Sequence, residues 1–482
     1  MASPHRVLRL ETLSPSITNI NVPILGSVTQ RAMDIKREIE EGKQKPFKEI
    51  IFCHFGDLHA MGQKPCTFLR QVMALCMYPA LLDNSEFPED AKRKARSLLQ
   101  TLENGSVGSY NEFYSWETLP QRIAHFIQRR DGGIPCDPKN VVVSSGATAA
   151  IVSVLTMVVN EDEPLRTGIM LSVPQYPVYV DTIMLSAAVK VEYNLDEENG
   201  WSLNVDNIRQ SLYKARTHCN PKVLCVMNPG NPTGRVESRE SIEDVIRLAA
   251  EENLLLFVDE VYQENVFGVG ATFHSFKKVL FEMGPRYSQQ IQLVSVNSVS
   301  KGVSGECGLR CGYIEFVNID PAVFQKLFTL KSFALPNVIG MLAMDIMMDP
   351  PQPADPSYKT FMEEKKAVLS ALAENARLTE EILNQAPGIR CNLILGAMYA
   401  FPRIHIPERA VKLAQTQGLE PDNMFCHHLL EETGIALAPG SCFGQVKDTY
   451  HIRITLLSPI NKLKTILRTI TEFHAKFMKK YQ

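Results

Sequence analysis

Short apolar runs alternate with longer stretches of mixed polarity from about residue 140 onward. The runs are rich in β-branched residues and span Val141–Val143, Gly168–Val173, Lys222–Met227, Leu254–Val258 and Gln292–Val296. Continuous apolar runs of this length are typical of strands buried on both faces of a sheet. Because helical or loop sequence separates them, the pattern predicts βα units, a mostly parallel sheet, and ligand sites at the carboxyl ends of the strands.

The two ends of the chain have a different pattern. An extended arm is followed by a predicted helix over Gln30–Glu41, and a proline-rich connection at Asp349–Pro351 precedes a long predicted helix over Ser357–Leu383. At 482 residues the chain is long enough for two cores. We therefore predict an N-terminal arm that forms part of a small domain (1–52), a large domain (53–345), and a small C-terminal domain (346–482).

Composition narrows the classes of partner. Hydrophobic residues make up 45% of the chain, charged residues 21%, and the formal net charge is -3, so no basic surface for nucleic acid is expected. The longest apolar run, Ile151–Val159, is about half of what a bilayer span needs and predicts a buried helix. We expect a cytoplasmic protein with neither nucleic-acid nor membrane partners, since no secretory apolar stretch is visible near the N-terminus.

The cysteines give no sign of a metal site. Eleven are scattered along the chain without a Cys-x-x-Cys pair, and Cys307 and Cys311 have no second pair at metal-ligand spacing. We predict reduced thiols, most of them in the core, and no bound metal.

A lysine stands just past the predicted strand that ends near Val296. Lys301 lies in Ser298-Val299-Ser300-Lys301-Gly302, and Arg310 follows nine residues later. A lysine that attacks a carbonyl must be neutral, and burial beside positive charge is expected to lower its pKa toward that state. Arg310 and the Ser298 hydroxyl have the chemistry to bind a phosphate. The alternative is an ordinary surface lysine after a strand.

An aspartate ends another predicted strand. Asp259 follows Leu254–Val258 directly, at the mouth of the predicted sheet, where a buried carboxylate can keep a heterocyclic ring nitrogen protonated. The competing interpretation is a helix N-cap, with Tyr262 as a packed aromatic.

Three further turns follow predicted strands. The rigid turn Asn228–Gly234 presents Asn231, and the strand-to-helix turn Ser144–Thr148 places free N–H groups of Ala147 and Thr148 where a phosphate can bind. Tyr176, between two prolines, can lie against a ring or simply pack.

Arg453 lies on a predicted strand of the second domain, in Tyr450–Thr455. Its guanidinium could clamp a carboxylate with two hydrogen bonds, or lie on a solvated strand face.

Taken in this order, these strings resemble the class I, fold-type I aminotransferases, and within them the alanine aminotransferases, over nearly the whole chain. The strings that carry the resemblance to that branch are Gly56-Asp57 with Ala60–Pro65, Arg129–Pro135, Phe273–Leu280, Gly305–Gly308 and Gly396–Tyr399.

The resemblance implies the fold and the reaction. The expected fold is α/β, with a large domain built on a mostly parallel seven-stranded sheet flanked by helices and a smaller α/β domain. The expected reaction is ping-pong transamination with pyridoxal 5′-phosphate, from L-alanine and 2-oxoglutarate to pyruvate and L-glutamate, in a homodimer whose other ligands are small amino and 2-oxo acids.

It also implies a role for each matching residue. Lys301 would form the Schiff base with the cofactor and move the proton at the substrate Cα. The other cofactor contacts would be Asp259 at the ring nitrogen, Asn231 and Tyr262 at the phenolic oxygen, Tyr176 on the ring, Ala147, Thr148, Ser298 and Arg310 at the phosphate, and Tyr110 at the phosphate of the neighbouring subunit. Arg453, the Gly56 backbone and Asn231 would bind the substrate.

Several positions depart from the family pattern. They are His54, Tyr114–Glu117, Ala149, Cys311, Leu335–Val338 and Cys442. Trp116 adds bulk to a segment expected near the entrance of the site. Thr118 and Gln121 form a capping-box pattern that predicts a helix start with Pro120 in its first turn. At Cys311 strain is expected if the backbone requires a positive φ.

These departures keep three functions open. The first is an alanine aminotransferase; the second is an aminotransferase with another amino donor, or a related lyase of the aminocyclopropane-carboxylate-synthase type. The third is a catalytically impaired paralogue that serves as a binding or regulatory protein.

Overall fold

The computed structural model describes residues 8–18, 26–332 and 335–482, so residues 1–7 and 19–25 of the predicted N-terminal arm lie outside the described part. Its strands are β1 (Ile51–Phe52), β2 (Val141–Ser144), β3 (Thr167–Val173), β4 (Val189–Asn194), β5 (Asn220–Met227), β6 (Leu255–Asp259), β7 (Leu293–Ser298), β8 (Gly312–Val317), β9 (Ile389–Arg390), β10 (Tyr399–Ala400), β11 (Arg403–Ile404), β12 (Ile435–Ala436), β13 (Ala438–Pro439) and β14 (Ile452–Thr455).

Helices outnumber strands in the described chain. They are α1 (Pro15–Thr18), α2 (Ser27–Glu40), α3 (Thr67–Met77), α4 (Glu89–Thr101), α5 (Leu119–Arg130), α6 (Ala147–Met157), α7 (Val178–Leu185), α8 (Val205–Ala215), α9 (Arg239–Glu252), α10 (Phe276–Glu282), α11 (Pro285–Ser288), α12 (Pro321–Ser332), α13 (Val338–Met348), α14 (Tyr358–Asn384), α15 (Glu408–Thr416), α16 (Pro421–Thr433) and α17 (Ile460–Lys480).

Seven strands form the central sheet, in the order β2-β8-β7-β6-β5-β3-β4. Only β8 runs antiparallel to its neighbours, and every other hydrogen-bonded pair of this sheet is parallel. The predicted mostly parallel sheet of seven strands is therefore confirmed.

Helices cover both faces of this sheet. Along β3 and β6 the side chains alternate between two cores: Met170 and Leu256 pack with α8, α9 and α10, while Ile169, Leu171 and Phe257 pack with α6 and α7 on the other face. A strand buried on both faces needs apolar residues throughout, because successive side chains point to opposite sides. This explains why these strands appear in the sequence as unbroken apolar runs.

All five predicted strands are present, with ends shifted by one or two residues. The pattern missed β4, an edge strand that alternates exposed Lys190 and Glu192 with buried Val191 and Tyr193. It also missed β8, although β8 is buried along its whole length. The helices predicted near residues 30–41 and 357–383 are α2 and α14, and the apolar run at Ile151 lies in the buried helix α6.

A second apolar core joins the two ends of the chain. Val28, Ala32 and Ile35 of α2 pack into it with residues of α14, α16, α17 and β14. The short strand β1 pairs in parallel with β12, which fixes this N-terminal region to the C-terminal region. Residues near position 50 thus belong to the same core as residues beyond position 390.

The segment before α5 differs from the prediction. Tyr114–Thr118 forms one turn of π-helix that continues into α5, and Thr118 has helical dihedral angles without a side-chain cap. The predicted capping box is therefore wrong, because a residue inside a continuous helical run has no free N–H groups to cap. Tyr114 is buried and donates a hydrogen bond to Asp345, 2.9 Å away.

Two other departures have a clear local structure. Cys311 is fully buried at a negative φ, so no backbone strain arises there, and the positive φ of 53° falls on Arg310. Asn337 caps α13 by accepting from the Gly340 N–H at 2.7 Å, and its amide donates to the Leu309 carbonyl at 2.8 Å. Asn337 thus anchors the chain beside Arg310.

All eleven cysteines are free. Within the described ranges, no group of three or more His, Cys, Asp or Glu side chains is arranged to hold a metal ion. Among the described helices, none combines the length and the apolar character that crossing a membrane requires.

A buried ion pair offers a test of this fold. Lys277 and Glu315 are paired with side chains only 2% and 3% exposed. Lys277→Met leaves the Glu315 carboxylate buried without its partner, and we expect a loss of about 3 to 5 kcal/mol in the free energy of unfolding, measured by urea denaturation. The control is Lys190→Met, which breaks a half-exposed pair with Glu192 and should cost less than about 1 kcal/mol. Equal losses in the two variants would contradict this picture.

Candidate active site

The carboxyl ends of β2, β3, β5, β6 and β7 surround a cavity of about 180 Å³. Loops that follow these strands supply most of its wall, and Gly56, Tyr399 and Arg453 close it from the side of the second core. This is the edge of the sheet at which the strand pattern predicted a ligand site. The predicted residues that line the cavity are Gly56, Ala147, Thr148, Tyr176, Asn231, Asp259, Tyr262, Ser298, Lys301, Arg310 and Arg453.

Lys301 lies in the turn that follows β7. Its Nζ donates a hydrogen bond to the Gly56 carbonyl, 2.6 Å away. Burial lowers the pKa of the Lys301 ammonium, but electrostatic interaction with the Tyr399 and Cys307 side chains outweighs burial, and the net shift is upward. The expectation of a lowered lysine pKa is therefore wrong for the cofactor-free site.

Asp259 is the last residue of β6 and is fully buried. One carboxylate oxygen accepts from the Val261 N–H at 3.2 Å and the other from the Tyr179 hydroxyl at 3.1 Å. No helix begins here, so the N-cap interpretation is wrong. Burial raises the pKa of Asp259 to about 6, although the two hydrogen bonds and Lys301 act in the opposite direction.

One side of the cavity is a cradle for an anion. Gly146 is the N-cap residue of α6 and provides no side-chain cap, which leaves the first N–H groups of the helix to a ligand. The Arg310 guanidinium fills the space beside Gly146, where a Cβ atom would lie 2.6 Å from its Nη2. Arg310 also donates to the Ser300 hydroxyl at 3.3 Å and the Cys307 carbonyl at 2.9 Å.

Arg453 closes the opposite side. Its side chain is 5% exposed, so the interpretation as an arginine on a solvated strand face is wrong. Its Nη1 donates to the Asn231 amide oxygen at 3.0 Å and its Nη2 to the His54 carbonyl at 2.5 Å. The guanidinium carbon lies 4.2 Å from the centre of the Tyr399 ring, and the Nε atom is buried without a partner.

Three cations thus share one small cavity, and the Asp259 carboxylate that also lines it forms an ion pair with none of them. The hydrogen-bond partners of Lys301, Arg310 and Arg453 are carbonyl, hydroxyl and amide oxygens. No ion pair within the described residues includes any of the three. Desolvated cations need anionic partners, so the site is built for ligands that carry negative charge at two separate places.

Tyr110 is not part of this cavity in the same subunit. It lies in the segment before α5 and is 84% exposed. The Tyr114–Glu117 segment does not line the cavity either, and among the departures from the family pattern His54 is the one that does.

A larger groove, of about 1030 Å³, opens at the opposite edge of the sheet. The two cations that line it are already paired, Arg216 with Glu252 and Lys222 with Glu163. The smaller cavity, with its unpaired cations, is therefore the better candidate for the reaction.

Several residues of the site escaped the sequence-based prediction. Ser300, His54, Cys307 and Tyr399 line the cavity, and Tyr179 holds Asp259 from behind. Burial lowers the pKa of His54 to about 4, so its ring is neutral and sits between the Thr29 hydroxyl and the Ala436 carbonyl. Ser300 and Cys307 lie close to Lys301 in the sequence, and Tyr399 lies in one of the strings that carry the resemblance, but no role was predicted for any of them. The contacts of His54 and Tyr399 with the site join distant parts of the chain.

The donor set fits pyridoxal phosphate. A phosphate dianion suits the uncapped start of α6 with Arg310, and an amine for the aldehyde is available at Lys301. The buried carboxylate of Asp259 suits a protonated ring nitrogen. Fold and site together define an α/β enzyme of the kind that carries this cofactor on a lysine.

Comparison with known proteins agrees with this class. The family described as "Aminotransferase class I and II" matches residues 70–470. The chain is 54% identical over 478 residues to alanine aminotransferase 2 of Xenopus tropicalis, covering 99% of this chain and 91% of that protein. It is 50% identical to alanine aminotransferase 1 of Homo sapiens, covering 99% and 96%. The solved structure of an aminotransferase from Escherichia coli superposes with a TM-score of 0.74 at 20% identity, over 97% and 98% of the two chains. The chain belongs to the class I and II aminotransferase family.

The raised pKa of Asp259 makes cofactor affinity depend on pH. Below about pH 6 the carboxyl is protonated, and binding a protonated ring nitrogen must expel that proton. In this range we expect the affinity of the cofactor-free protein for pyridoxal phosphate to fall by up to about tenfold per pH unit. Above pH 6 this contribution is constant.

The comparison with Asp259→Asn tests this effect, because an amide at this position has no carboxyl proton to lose near pH 6. The variant should bind more weakly at pH 8 and lack the step near pH 6, as measured by equilibrium absorbance titration. Parallel pH profiles for the two proteins would contradict the role of Asp259.

Proposed function

We propose that the protein transfers the amino group of L-alanine to 2-oxoglutarate, giving pyruvate and L-glutamate, with pyridoxal phosphate as cofactor. The observation that carries this proposal is the cavity in which Lys301, Arg310 and Arg453 lie without carboxylate partners around the buried Asp259. The curated relatives at 54% and 50% identity are alanine aminotransferases, which does not favour the alternatives of another donor or an impaired paralogue.

The cofactor would be held by charge and shape. Arg310, Ser298 and the N–H groups of Ala147 and Thr148 would bind its phosphate, and Tyr176 would cover its ring. Asp259 would pair with the ring nitrogen, while Asn231 and Tyr262 would hold the phenolic oxygen. When bound, pyridoxal phosphate supplies an electron-withdrawing ring whose aldehyde carbon takes up and releases an amino group.

The chain's own residues would bind and orient the amino acid. Arg453 would take its carboxylate in a two-pronged contact, helped by the Gly56 backbone and the Asn231 amide. Asn231 already accepts from Arg453 at 3.0 Å, and the Tyr399 ring fixes the guanidinium from one face. An arginine held in this way loses little conformational freedom on binding.

Lys301 would do the proton chemistry. Its Nζ would remove the proton from the Cα of the amino donor. In the second half of the reaction it would deliver a proton to the Cα of the amino acid that is formed. For this the amine must be neutral. Tyr399 raises the pKa of Lys301 and Arg453 lowers it, so the two side chains would set the pH range of activity. Arg453 and Lys301 both contact the segment from His54 to Gly56, which would bring a substrate bound at Arg453 close to the amine.

We also propose a homodimer that acts in the cytoplasm. The exposed Tyr110 ring supports the first point, since a tyrosine assigned to a phosphate has no such ligand within its own subunit. Eleven free cysteines support the second, because thiols remain reduced in that compartment. Light scattering, which should give twice the chain mass, tests the assembly.

The proposed reaction is tested with purified protein, pyridoxal phosphate and a panel of amino acids. L-alanine without an oxo acid should convert the visible absorbance of the cofactor into the near-ultraviolet absorbance of its aminated form and release pyruvate. A response only to another amino acid would mean a different donor. A cofactor band that answers no amino acid would favour a binding or regulatory protein.

Arg453→Gln tests the carboxylate site. The variant keeps a hydrogen-bonding amide but loses the charge, so we expect KM for L-alanine to rise by roughly 30-fold or more. The control is Arg403→Gln, which removes an arginine from a partly exposed ion-pair cluster with Glu197 and Glu198. Its KM should stay within about twofold of the parent value. A similar KM in both variants would refute the assignment of Arg453.

A further inference from the structure

Tyr399 stands where three functional groups meet. Its hydroxyl accepts a hydrogen bond from the Tyr262 hydroxyl at 3.2 Å, and its ring lies 4.2 Å from the Arg453 guanidinium carbon. A methyl group on the Gly56 Cα would lie 1.8 Å from the Tyr399 hydroxyl oxygen and 3.2 Å from the Lys301 Nζ. The hydroxyl and the ammonium therefore converge on the bare Cα of Gly56, and only a glycine leaves room for both.

The pKa values of the two hydrogen-bonded tyrosines, Tyr262 and Tyr399, are shifted in opposite directions. Tyr262 donates and Tyr399 accepts the hydrogen bond between them. Burial raises the pKa of Tyr399, but Lys301, Arg453 and the bond from Tyr262 outweigh it and lower the pKa overall. Burial and the charge of Tyr399 raise the pKa of Tyr262 well above its ordinary value. Negative charge in this pair therefore settles on Tyr399.

We propose that Tyr399 is a positioning residue of this site, whose hydroxyl oxygen is the charge partner of the Lys301 ammonium and whose ring holds the Arg453 guanidinium. Its hydroxyl would stabilise the protonated form of Lys301, which donates to the Gly56 carbonyl in the resting site. Its ring would hold Arg453 in the orientation that binds a carboxylate before the substrate arrives. This inference rests on the roles of Lys301 and Arg453 in the proposed function.

The other titratable groups near Tyr399 are less suited to be the charge partner of Lys301. Besides Lys301 and Arg453, the titratable groups that act on it or share its side of the cavity are Tyr262 after β6, Tyr176 after β3 and Cys307 after β7. Burial raises the pKa values of Tyr176 and Cys307, which is the opposite of the net shift of Tyr399. Asp259, the carboxylate of this cavity, is already held by Tyr179 and the Val261 N–H.

The ring and the hydroxyl have separable roles. The Arg453 guanidinium lies between the rings of Tyr399, at 4.2 Å, and Phe443, at 4.5 Å, an arrangement that attracts a cation to the faces of the aromatic rings. Phenylalanine at position 399 keeps this contact and removes the oxygen. Leucine at the same position removes both.

Tyr399→Phe tests the hydroxyl. Without the oxygen the Lys301 ammonium loses its charge partner, its pKa falls, and the neutral amine forms at lower pH. We expect the midpoint of the pH profile for uptake of pyridoxal phosphate by the cofactor-free protein to move down by about one pH unit, with KM for L-alanine changed less than about threefold. An unshifted or raised midpoint would overturn the proposal. The control, Tyr213→Phe, removes an exposed hydroxyl that bonds Glu252 and should leave the profile unchanged.

Tyr399→Leu tests the ring, and KM for L-alanine should rise at least tenfold. A KM equal to that of Tyr399→Phe would refute the contact with Arg453. Circular dichroism and thermal melting of the cofactor-free proteins establish that each variant is folded.

A third measurement needs neither a folded variant nor turnover. Ultraviolet titration of the cofactor-free parent protein should show one tyrosine that ionises below the ordinary pKa of about 10. Its absence would overturn the proposal. Failure of the parent protein to transaminate L-alanine would refute the proposed function alone, because this titration would still report on Tyr399.

Discussion

The site depends on one electrostatic constraint, namely three cations in a cavity of about 180 Å³ that lack carboxylate partners in the described chain. Like charges within one cavity repel each other, and burial removes the water that would screen them. Such an arrangement persists in a folded protein when ligands bring the missing negative charge. A phosphate at Arg310 and a carboxylate at Arg453 satisfy it, which leaves Lys301 free to act as an amine once its proton is lost.

Different parts of the fold supply the three cations. The parallel strands β6 and β7 deliver Asp259 and Lys301 at their carboxyl ends, and Arg310 precedes the antiparallel strand β8. In contrast, β14 of the second core delivers Arg453. Because α2 and β1 pack against that second core, the N-terminal region also reaches the site through the His54 carbonyl. Bare glycines are required at two close approaches in the site, Gly56 beside Tyr399 and Gly146 beside Arg310. The proposed substrate and cofactor sites therefore meet between the central sheet and the second apolar core.

The sequence predicted the local part of this arrangement well. Apolar runs located five of the seven strands of the central sheet, and residues shortly after those runs, such as Asp259 and Lys301, do line one cavity. Prediction failed where contacts join distant parts of the chain. The burial of Arg453 depends on His54 and Tyr399, and the upward shift of the Lys301 pKa comes largely from Tyr399, 98 positions away in the chain. The edge strand β4 escaped because its alternation of exposed and buried residues is not an apolar run. The capping box near Thr118 failed for another reason, because a π-helical turn already continues into the helix.

The most direct test of the account is to identify the residue that holds the cofactor. The protein would be incubated with pyridoxal phosphate, reduced with borohydride to fix the cofactor to its amine, digested, and analysed by mass spectrometry. The account predicts one modified peptide, with the added mass on Lys301, and loss of the modification when pyridoxal, which lacks the 5′-phosphate, replaces the cofactor at the same concentration. Modification of a different lysine, or equal labelling of many surface lysines, would contradict the central claim.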